Sequence, residues 1–119
     1  MDCVNALSAS DGSAADIAGA LTGNGYLYGP AVVTLPAGSS AYDALAATGL
    51  SVSASNTSMG LYIRAIQGLA EKDGGSQSGW MYLVDGSPPM QSADSYILSD
   101  GSALKWRYTL TQGGDIYFD

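Results

Sequence analysis

The side chains that most often perform catalysis or hold transition metals are nearly missing from this chain, which contains no histidine and one cysteine. A serine or cysteine nucleophile usually needs a histidine base, and zinc is usually held by sulfur and imidazole ligands. Cys3 has no second cysteine with which to form an intramolecular disulfide, so we interpret it as a structural or incidental thiol. The sequence therefore predicts no catalytic residue and no metal site.

Carboxylates and glycines are plentiful, but their spacing does not match a known metal-binding or phosphate-binding motif. The acidic residues are scattered through predicted turns and caps, where Asp is favoured for local hydrogen bonding, and they lack the dense spacing of an EF-hand loop. The Gly-rich stretch at 74–79 is followed by a predicted strand, with no Gly-Lys-Ser or Gly-Lys-Thr and no helix to bind phosphate. We expect a protein that is not an enzyme and requires no cofactor.

The net charge and the length of the chain limit the kinds of molecule that it is expected to bind. The 119 residues include four basic and eleven acidic side chains, for a net charge of −7, which repels nucleic acid and anionic membrane surfaces. No run approaches the roughly 20 apolar residues of a transmembrane helix. We expect one domain over residues 1–119, with any export signal or anchor outside this chain. Few lysines and many Ser, Thr, Gly and Tyr residues favour an exported bacterial domain.

The elements that would position a site are short. A helix is predicted within residues 11–24, a strand over Val32–Leu35, and a second helix capped by Ser39 or Ser40 and ended by Gly49. Strands are then predicted near residues 50–54, at 61–66 and at 80–84, the last closed by the Asp85-Gly86 turn. The polar loop at 71–79 is predicted to be mobile because it has no apolar anchor.

The final strand, Ala103–Leu110, alternates between apolar and polar residues and is expected to be central in the sheet. Its pattern places Leu104, Trp106 and Tyr108 toward the core and leaves Lys105 and Arg107 exposed. The order of elements predicts an α+β domain in which one main helix packs across a mixed sheet, preceded by a short N-terminal helix.

Four motifs in order carry a resemblance to a known family: VTLPAGSSAYDAL, TSMGLYIRAIQGLAEKDGG, GWMYLVDG and ADSYILSDGSALKWRYT. Over residues 32–110 the chain resembles the C-terminal β-grasp domain of the transcobalamin and intrinsic factor family, and more closely its bacterial relatives on exported proteins. This resemblance implies a β-grasp fold, an extracellular or cell-surface location, and a non-enzymatic binding module. Cobalamin is the ligand that it suggests.

In the carriers this domain forms a lid over one side of cobalamin. The matching ligand-binding positions here are Thr57, Ser58, Met59, Gly60, Leu61, Trp80, Met81, Tyr82 and Leu83. Met59 stands where the carriers have an aromatic residue, and 119 residues leave no room for their helical barrel domain. Burial in the core is the competing, and favoured, interpretation of the aromatic strand residues.

Two hypotheses follow about the partner. The first is a corrinoid or similar planar ligand, bound without an axial imidazole because the chain has no histidine. The alternative is a bacterial cell-surface domain that binds a protein or a glycan as part of a larger exported protein, with no role in cobalamin binding. As an excised domain the chain is expected to be a monomer.

Overall fold

The computed structural model describes residues 4–7, 14–21, 27–28, 34–58, 60–89 and 91–116. These residues form short helices and antiparallel strands. The helices are α1 (Val4–Leu7), α2 (Ala14–Leu21) and α3 (Ala41–Ala46). The strands are β1 (Val52–Thr57), β2 (Gly60–Ile66), β3 (Leu69–Ala70), β4 (Gly79–Val84) and β5 (Leu104–Thr109). The predicted α+β class is confirmed.

The strands form two separate antiparallel sheets, one ordered β1-β2-β3 and the other β4-β5. The prediction of one mixed sheet with β5 at its centre is therefore wrong for the described residues, in which β5 pairs with β4 alone. The tight turn at Gln67-Gly68 returns the chain antiparallel to β2, and a parallel pair would have required a long crossover. β4 does not form its main pairing with the residues after the Asp85-Gly86 turn. Within the described residues, that turn is closed by a single Val84–Ser87 bridge.

Helix α3 begins as the sequence predicts. Ser40 Oγ accepts a hydrogen bond from the Asp43 amide at 3.1 Å, and Asp43 Oδ2 accepts one from the Ser40 amide at 2.9 Å, which completes a capping box. Ala41 and Leu45 are buried in the core. The Ala41 amide also donates to the Tyr96 carbonyl oxygen at 2.9 Å, so the start of the helix is attached to the segment that precedes β5.

The predicted N-terminal helix is confirmed as α2, whose Ala18 is fully buried. Helix α1 was not predicted. Its Asn5 side chain donates hydrogen bonds to the carbonyl oxygens of Tyr108 and Asp115, both at 3.0 Å. For the predicted first strand, Val32 and Val33 lie outside the described residues, and Thr34–Leu35 is not a strand. Cys3 also lies outside the described residues.

The polar 71–79 loop is anchored by hydrogen bonds that its sequence does not indicate. The Gly74 amide donates to the Tyr108 hydroxyl at 3.2 Å and to Ser78 Oγ at 2.9 Å, and the Ala70 amide donates to Asp73 Oδ2 at 2.8 Å. Gly74 and Ser78 are buried. The prediction of a mobile loop assumed that the loop has no anchor, and the Tyr108 hydroxyl on β5, 34 residues after Gly74, provides one.

Strand β5 is covered on both faces. Trp106 and Tyr108 are buried as predicted, but Arg107 is also buried, with 3% of its surface exposed, and Lys105 is half-buried. The Arg107 Nη1 donates to the Ile116 carbonyl oxygen at 2.7 Å. The prediction that Arg107 is exposed is therefore wrong, because the segment after β5 folds back over the polar face of the strand.

Candidate functional site

An apolar cleft with a volume of about 210 Å³ lies between β2, the β4–β5 pair and the segment that follows β4. Aromatic rings, aliphatic side chains and two prolines make up most of its wall, and none of these described lining residues is charged. The lining residues are Leu61, Tyr62, Ile63, Trp80, Met81, Tyr82, Pro88, Pro89, Gln91, Ser92, Ala93 and Trp106.

The aromatic wall is built by cross-strand pairs. Trp80 lies opposite Tyr108, and Tyr82 lies opposite Trp106. The rings of Trp80 and Tyr108 meet edge to face with centroids 5.4 Å apart, while Tyr82 stacks on Trp106 with centroids 5.0 Å apart. Because alternate residues of a strand share a face, this wall is a direct result of the alternation along β4 and β5.

The two tryptophans differ in how their indole nitrogens are satisfied. Trp80 Nε1 donates to the Leu69 carbonyl oxygen at 2.7 Å, and 4% of the residue is exposed, so the structure supports burial as the interpretation of Trp80. Trp106 is also 4% exposed, but its Nε1 has no hydrogen-bond partner in the part of the chain that the structure describes. An unpaired buried N–H is costly, roughly 1–3 kcal/mol.

Tyr82 connects the β4–β5 sheet to the opposite wall of the cleft, which is formed by the segment after β4. Its hydroxyl donates to the Gln91 carbonyl oxygen at 2.6 Å, and its ring meets Tyr96 edge to face. Ser92 Oγ donates to Asp94 Oδ1 at 2.7 Å. Gly60, with a φ of +105°, lies so close that a Cβ atom there would be 2.3 Å from Ser92 Oγ. The β1–β2 turn and the segment that follows β4 therefore pack together at the edge of the cleft.

Tyr62 lies at the rim of the cleft and is 38% exposed. Partial burial, together with a hydrogen bond to Glu71 and the negative charge of that residue, raises the pKa of Tyr62 to about 12. Arg64 forms an ion pair with Glu71, and its guanidinium lies 5.7 Å from the centre of the Tyr62 ring. Burial likewise raises the pKa of Tyr82. Both phenols are therefore neutral at physiological pH.

The structure brings four of the nine predicted site residues to the cleft, namely Leu61, Trp80, Met81 and Tyr82. Thr57 and Ser58 are exposed near the β1–β2 turn, where Thr57 Oγ1 donates to the Gly60 carbonyl oxygen at 2.8 Å. Gly60 contacts the edge of the site through its backbone. Met59 lies outside the described residues.

The four predicted ligand-binding residues at 80–83 alternate between the two faces of β4. Leu83 is buried and does not line the cleft. The Met81 side chain reaches toward Gly113, where a Cβ atom would be 2.9 Å from its sulfur atom. Strand alternation alone indicates that four consecutive residues cannot all point into one site.

Sequence reasoning missed the segment after β4, which contributes Pro88, Pro89, Gln91, Ser92 and Ala93. The Pro-Pro pair has no backbone N–H to donate to a neighbouring strand, so it keeps this segment out of the sheet and leaves it available to form a wall. Trp106 was predicted to be a core residue, and nothing in its strand pattern indicated that it would reach a cleft.

The described cleft offers apolar contacts and a few polar atoms, such as those of Gln91 and Ser92. In the described ranges no group of three or more His, Cys, Asp or Glu side chains is placed to hold a metal ion. None of the helices in those ranges combines the length and apolar character needed to cross a bilayer.

The chain is similar in structure to haptocorrin in complex with Cbi, with a TM-score of 0.56 and 26% sequence identity over 65% of this chain. The similarity covers 21% of the haptocorrin chain, so this chain spans about a fifth of the length of that protein. None of the curated proteins compared with the chain matches it. The family model described as "Domain of unknown function (DUF4430)" matches residues 38–110, which is more than half of the chain. The chain therefore belongs to the DUF4430 family.

Proposed function

We propose that this protein is a non-enzymatic binding module, located outside the cell or on its surface, that contacts one side of a corrinoid or similar planar ligand. The observation that carries the proposal is the uncharged aromatic cleft. Leu61, Trp80 and Tyr82 line it, and the resemblance to the cobalamin carriers predicts ligand contacts at the same three positions. The likeness to haptocorrin in complex with Cbi supports the same ligand class.

We also propose a relationship to the cobalamin carriers. A TM-score of 0.56 over 65% of the chain supports an assignment to the β-grasp domains found at the C-terminal end of cobalamin carriers. The extracellular location rests on the amino-acid composition and on the resemblance to domains of exported bacterial proteins.

The size of the cleft dictates how such a ligand would bind. At about 210 Å³ it is smaller than the roughly 300–1,000 Å³ of ordinary small-molecule pockets, so a whole corrinoid cannot enter it. The macrocycle would lie across the mouth, against the half-exposed ring of Tyr62 and the two prolines, and one peripheral arm would enter. Binding depends on shape, apolar contact and hydrogen bonds, since no histidine is present to coordinate cobalt.

The affinity of this arrangement is expected to be modest, with a Kd of roughly 1 μM or weaker. A ligand contacted on one side keeps much of its hydration, yet it still loses translational and rotational freedom on binding. A second protein surface that covers the other side of the ligand would remove this limit.

A titration with cobalamin and with cobinamide, followed by absorbance and calorimetry, tests the proposal. We expect saturable binding by the wild-type chain and binding at least several-fold weaker in Tyr62→Ala. Ile97→Ala is the matched control, because Ile97 is 56% exposed and is not among the described residues that line the cleft. It should bind as the wild type does. Equal loss in both variants, or no saturable signal, would refute corrinoid binding in the cleft.

The small cleft also favours a second candidate function, the recognition of a protein or glycan on the cell surface. An extended chain can place one residue or sugar in a 210 Å³ cleft and leave the remainder across the surface. Absence of corrinoid binding, together with loss of an identified peptide or glycan ligand in Tyr62→Ala, would favour this function.

A further inference from the structure

The cleft runs along the edges of two strands and does not lie on one face of a sheet. Three consecutive residues of β2 line it, at 61–63, and so do three consecutive residues of β4, at 80–82. Because consecutive side chains of a strand point to opposite faces, three residues in a row share only an edge of the strand. In the part of the chain that the structure describes, β2 and β4 are not paired with each other, and β4 pairs with β5 alone. The cleft therefore separates two strand edges.

Hydrogen bonds at the end of β4 show which of its backbone groups point into the cleft. The Asp85 amide donates to the Ala103 carbonyl oxygen, on the side of β5, at 2.8 Å. The Val84 amide donates to the Ser87 carbonyl oxygen, on the other side, at 2.9 Å. Because backbone groups alternate between the two edges of a strand, those of Tyr82 point away from β5, as the Val84 amide does. Tyr82 is half-buried and lines the cleft, so this edge can be reached there.

The facing edge belongs to β2. The Leu61 amide points away from β1, since it donates to Asp94 Oδ1, in the segment that follows β4, at 3.4 Å. Alternation then places the backbone groups of Ile63 on the same side. Pro88 and Pro89 also line the cleft, and neither has an amide that could pair with a neighbouring carbonyl oxygen. Unpaired backbone groups along a strand edge are a template for an additional strand.

The charge of the cleft determines which side chains an added strand could carry. None of the described lining residues is charged, and the chain as a whole has a net charge of −7. A carboxylate placed in the cleft would lose its hydration without gaining a countercharge, which is strongly unfavourable. Aromatic and aliphatic walls favour apolar side chains, and alternate residues of an added strand would face them.

We infer that the cleft binds an extended, uncharged peptide segment as an added β-strand, which pairs through its backbone with the edge of β4 at Tyr82 and lies against the edge of β2 on its other side. This inference goes beyond corrinoid binding, and it specifies the partner of the second candidate function as an extended peptide. Main-chain hydrogen bonds supply the affinity, and the aromatic wall selects apolar side chains at alternate positions.

Amide hydrogen exchange in the ¹⁵N-labelled full chain tests the pairing, with the peptide Ac-Thr-Val-Thr-Val-Thr-NH₂ as the probe. We expect exchange at Tyr82 to slow about tenfold, as for the gain of one hydrogen bond. The amides of Met81 and Leu83 already point toward β5, so their exchange should not change. No slowing at Tyr82, or equal slowing at all three residues, would overturn the inference, because only strand pairing produces the alternation.

Two controls separate strand pairing from simple filling of the cleft. The same peptide with N-methyl groups on its central residues keeps its side chains but loses their amide donors, and it should bind at least about tenfold more weakly. Asn56 is the control within the protein, because it lies opposite Leu61 and its backbone points to the outer edge of β1, away from the cleft. Its exchange should not slow. Equal binding of the two peptides, or equal slowing at Asn56 and Tyr82, would contradict a strand site in the cleft.

Cobinamide separates this inference from corrinoid binding. If the peptide slows exchange at Tyr82 and cobinamide does not bind, the peptide site is supported and corrinoid binding is wrong. If cobinamide binds in the cleft and the peptide leaves exchange at Tyr82 unchanged, the peptide site is wrong and the proposed function stands.

Discussion

The ring of Tyr82 stacks on the ring of Trp106 at an interplanar angle of 29°, and the two residues are direct partners across the β4–β5 ladder. The same Tyr82 donates its hydroxyl hydrogen to the Gln91 carbonyl oxygen. One side chain therefore connects the sheet to the segment that forms the other wall of the cleft, and the shape of the cleft depends on it.

Two substitutions at Tyr82 should separate its roles. Tyr82→Phe keeps the stacked ring and loses the hydrogen bond to Gln91, so the free energy of unfolding should fall by about 0.5–1.5 kcal/mol. Tyr82→Leu also removes the aromatic pair and should cost about 0.5–1.5 kcal/mol more. Urea denaturation measures both values, and equal stability of the two variants would show that the stacking contributes nothing.

Tyr108→Phe should loosen the 71–79 loop. The Tyr108 hydroxyl donates to the Ala70 carbonyl oxygen at 2.7 Å and accepts from the Gly74 amide, so its loss removes both of these hydrogen bonds to β5. We expect a loss of about 1–3 kcal/mol in stability and faster hydrogen exchange at Gly74. Unchanged exchange at Gly74 would show that the hydroxyl does not anchor the loop.

Gly60→Ala should be more destabilising than Gly68→Ala. Both glycines have a positive φ, but a Cβ atom at Gly68 would meet no atom within 4 Å, whereas one at Gly60 would collide with Ser92. The Gly68 variant should lose about 1 kcal/mol from backbone strain alone. The Gly60 variant should lose about 1–3 kcal/mol beyond that through overpacking. Thermal denaturation of the pair isolates the collision, and equal losses would argue against close packing at Ser92.

Stability should decline in strongly alkaline solution. The pKa of Tyr62 is raised in the folded protein from 10.0 to about 12, so the unfolded chain loses this proton first as pH rises. The stabilisation from the neutral phenol is complete below pH 10 and is lost as pH rises from about 10 to about 12. Tyr62→Phe should reduce this alkaline loss, measured by denaturation at a series of pH values. An identical pH profile in that variant would contradict the assignment.

Several elements could be predicted from local patterns. The cap at Ser40, the strand β2 and the buried face of β5 depend on residues within a few positions of one another, and all three are confirmed. The burial of Arg107 could not be predicted in this way, because it depends on where the segment after β5 returns.

The site could be predicted only in part from the sequence, for the same reason. Resemblance selected Leu61 and Tyr82, but alternation along β4 places Leu83 on the opposite face. Pro88 and Pro89 carry a clear turn signal, yet their place in the wall of the same cleft as β2 depends on long-range packing. A single sequence contains no local signal for such a contact, and none indicated that the N–H of Trp106 would lack a partner.

Backbone amide shift mapping of the ¹⁵N-labelled full chain with cobinamide tests the central claim most directly. We expect saturating shifts confined to the cleft, at Leu61–Ile63, at Tyr82 and at Gln91–Ala93, with the exposed edge of β1 unaffected. Shifts confined to the β1 edge, or no saturable shifts up to millimolar cobinamide, would contradict it.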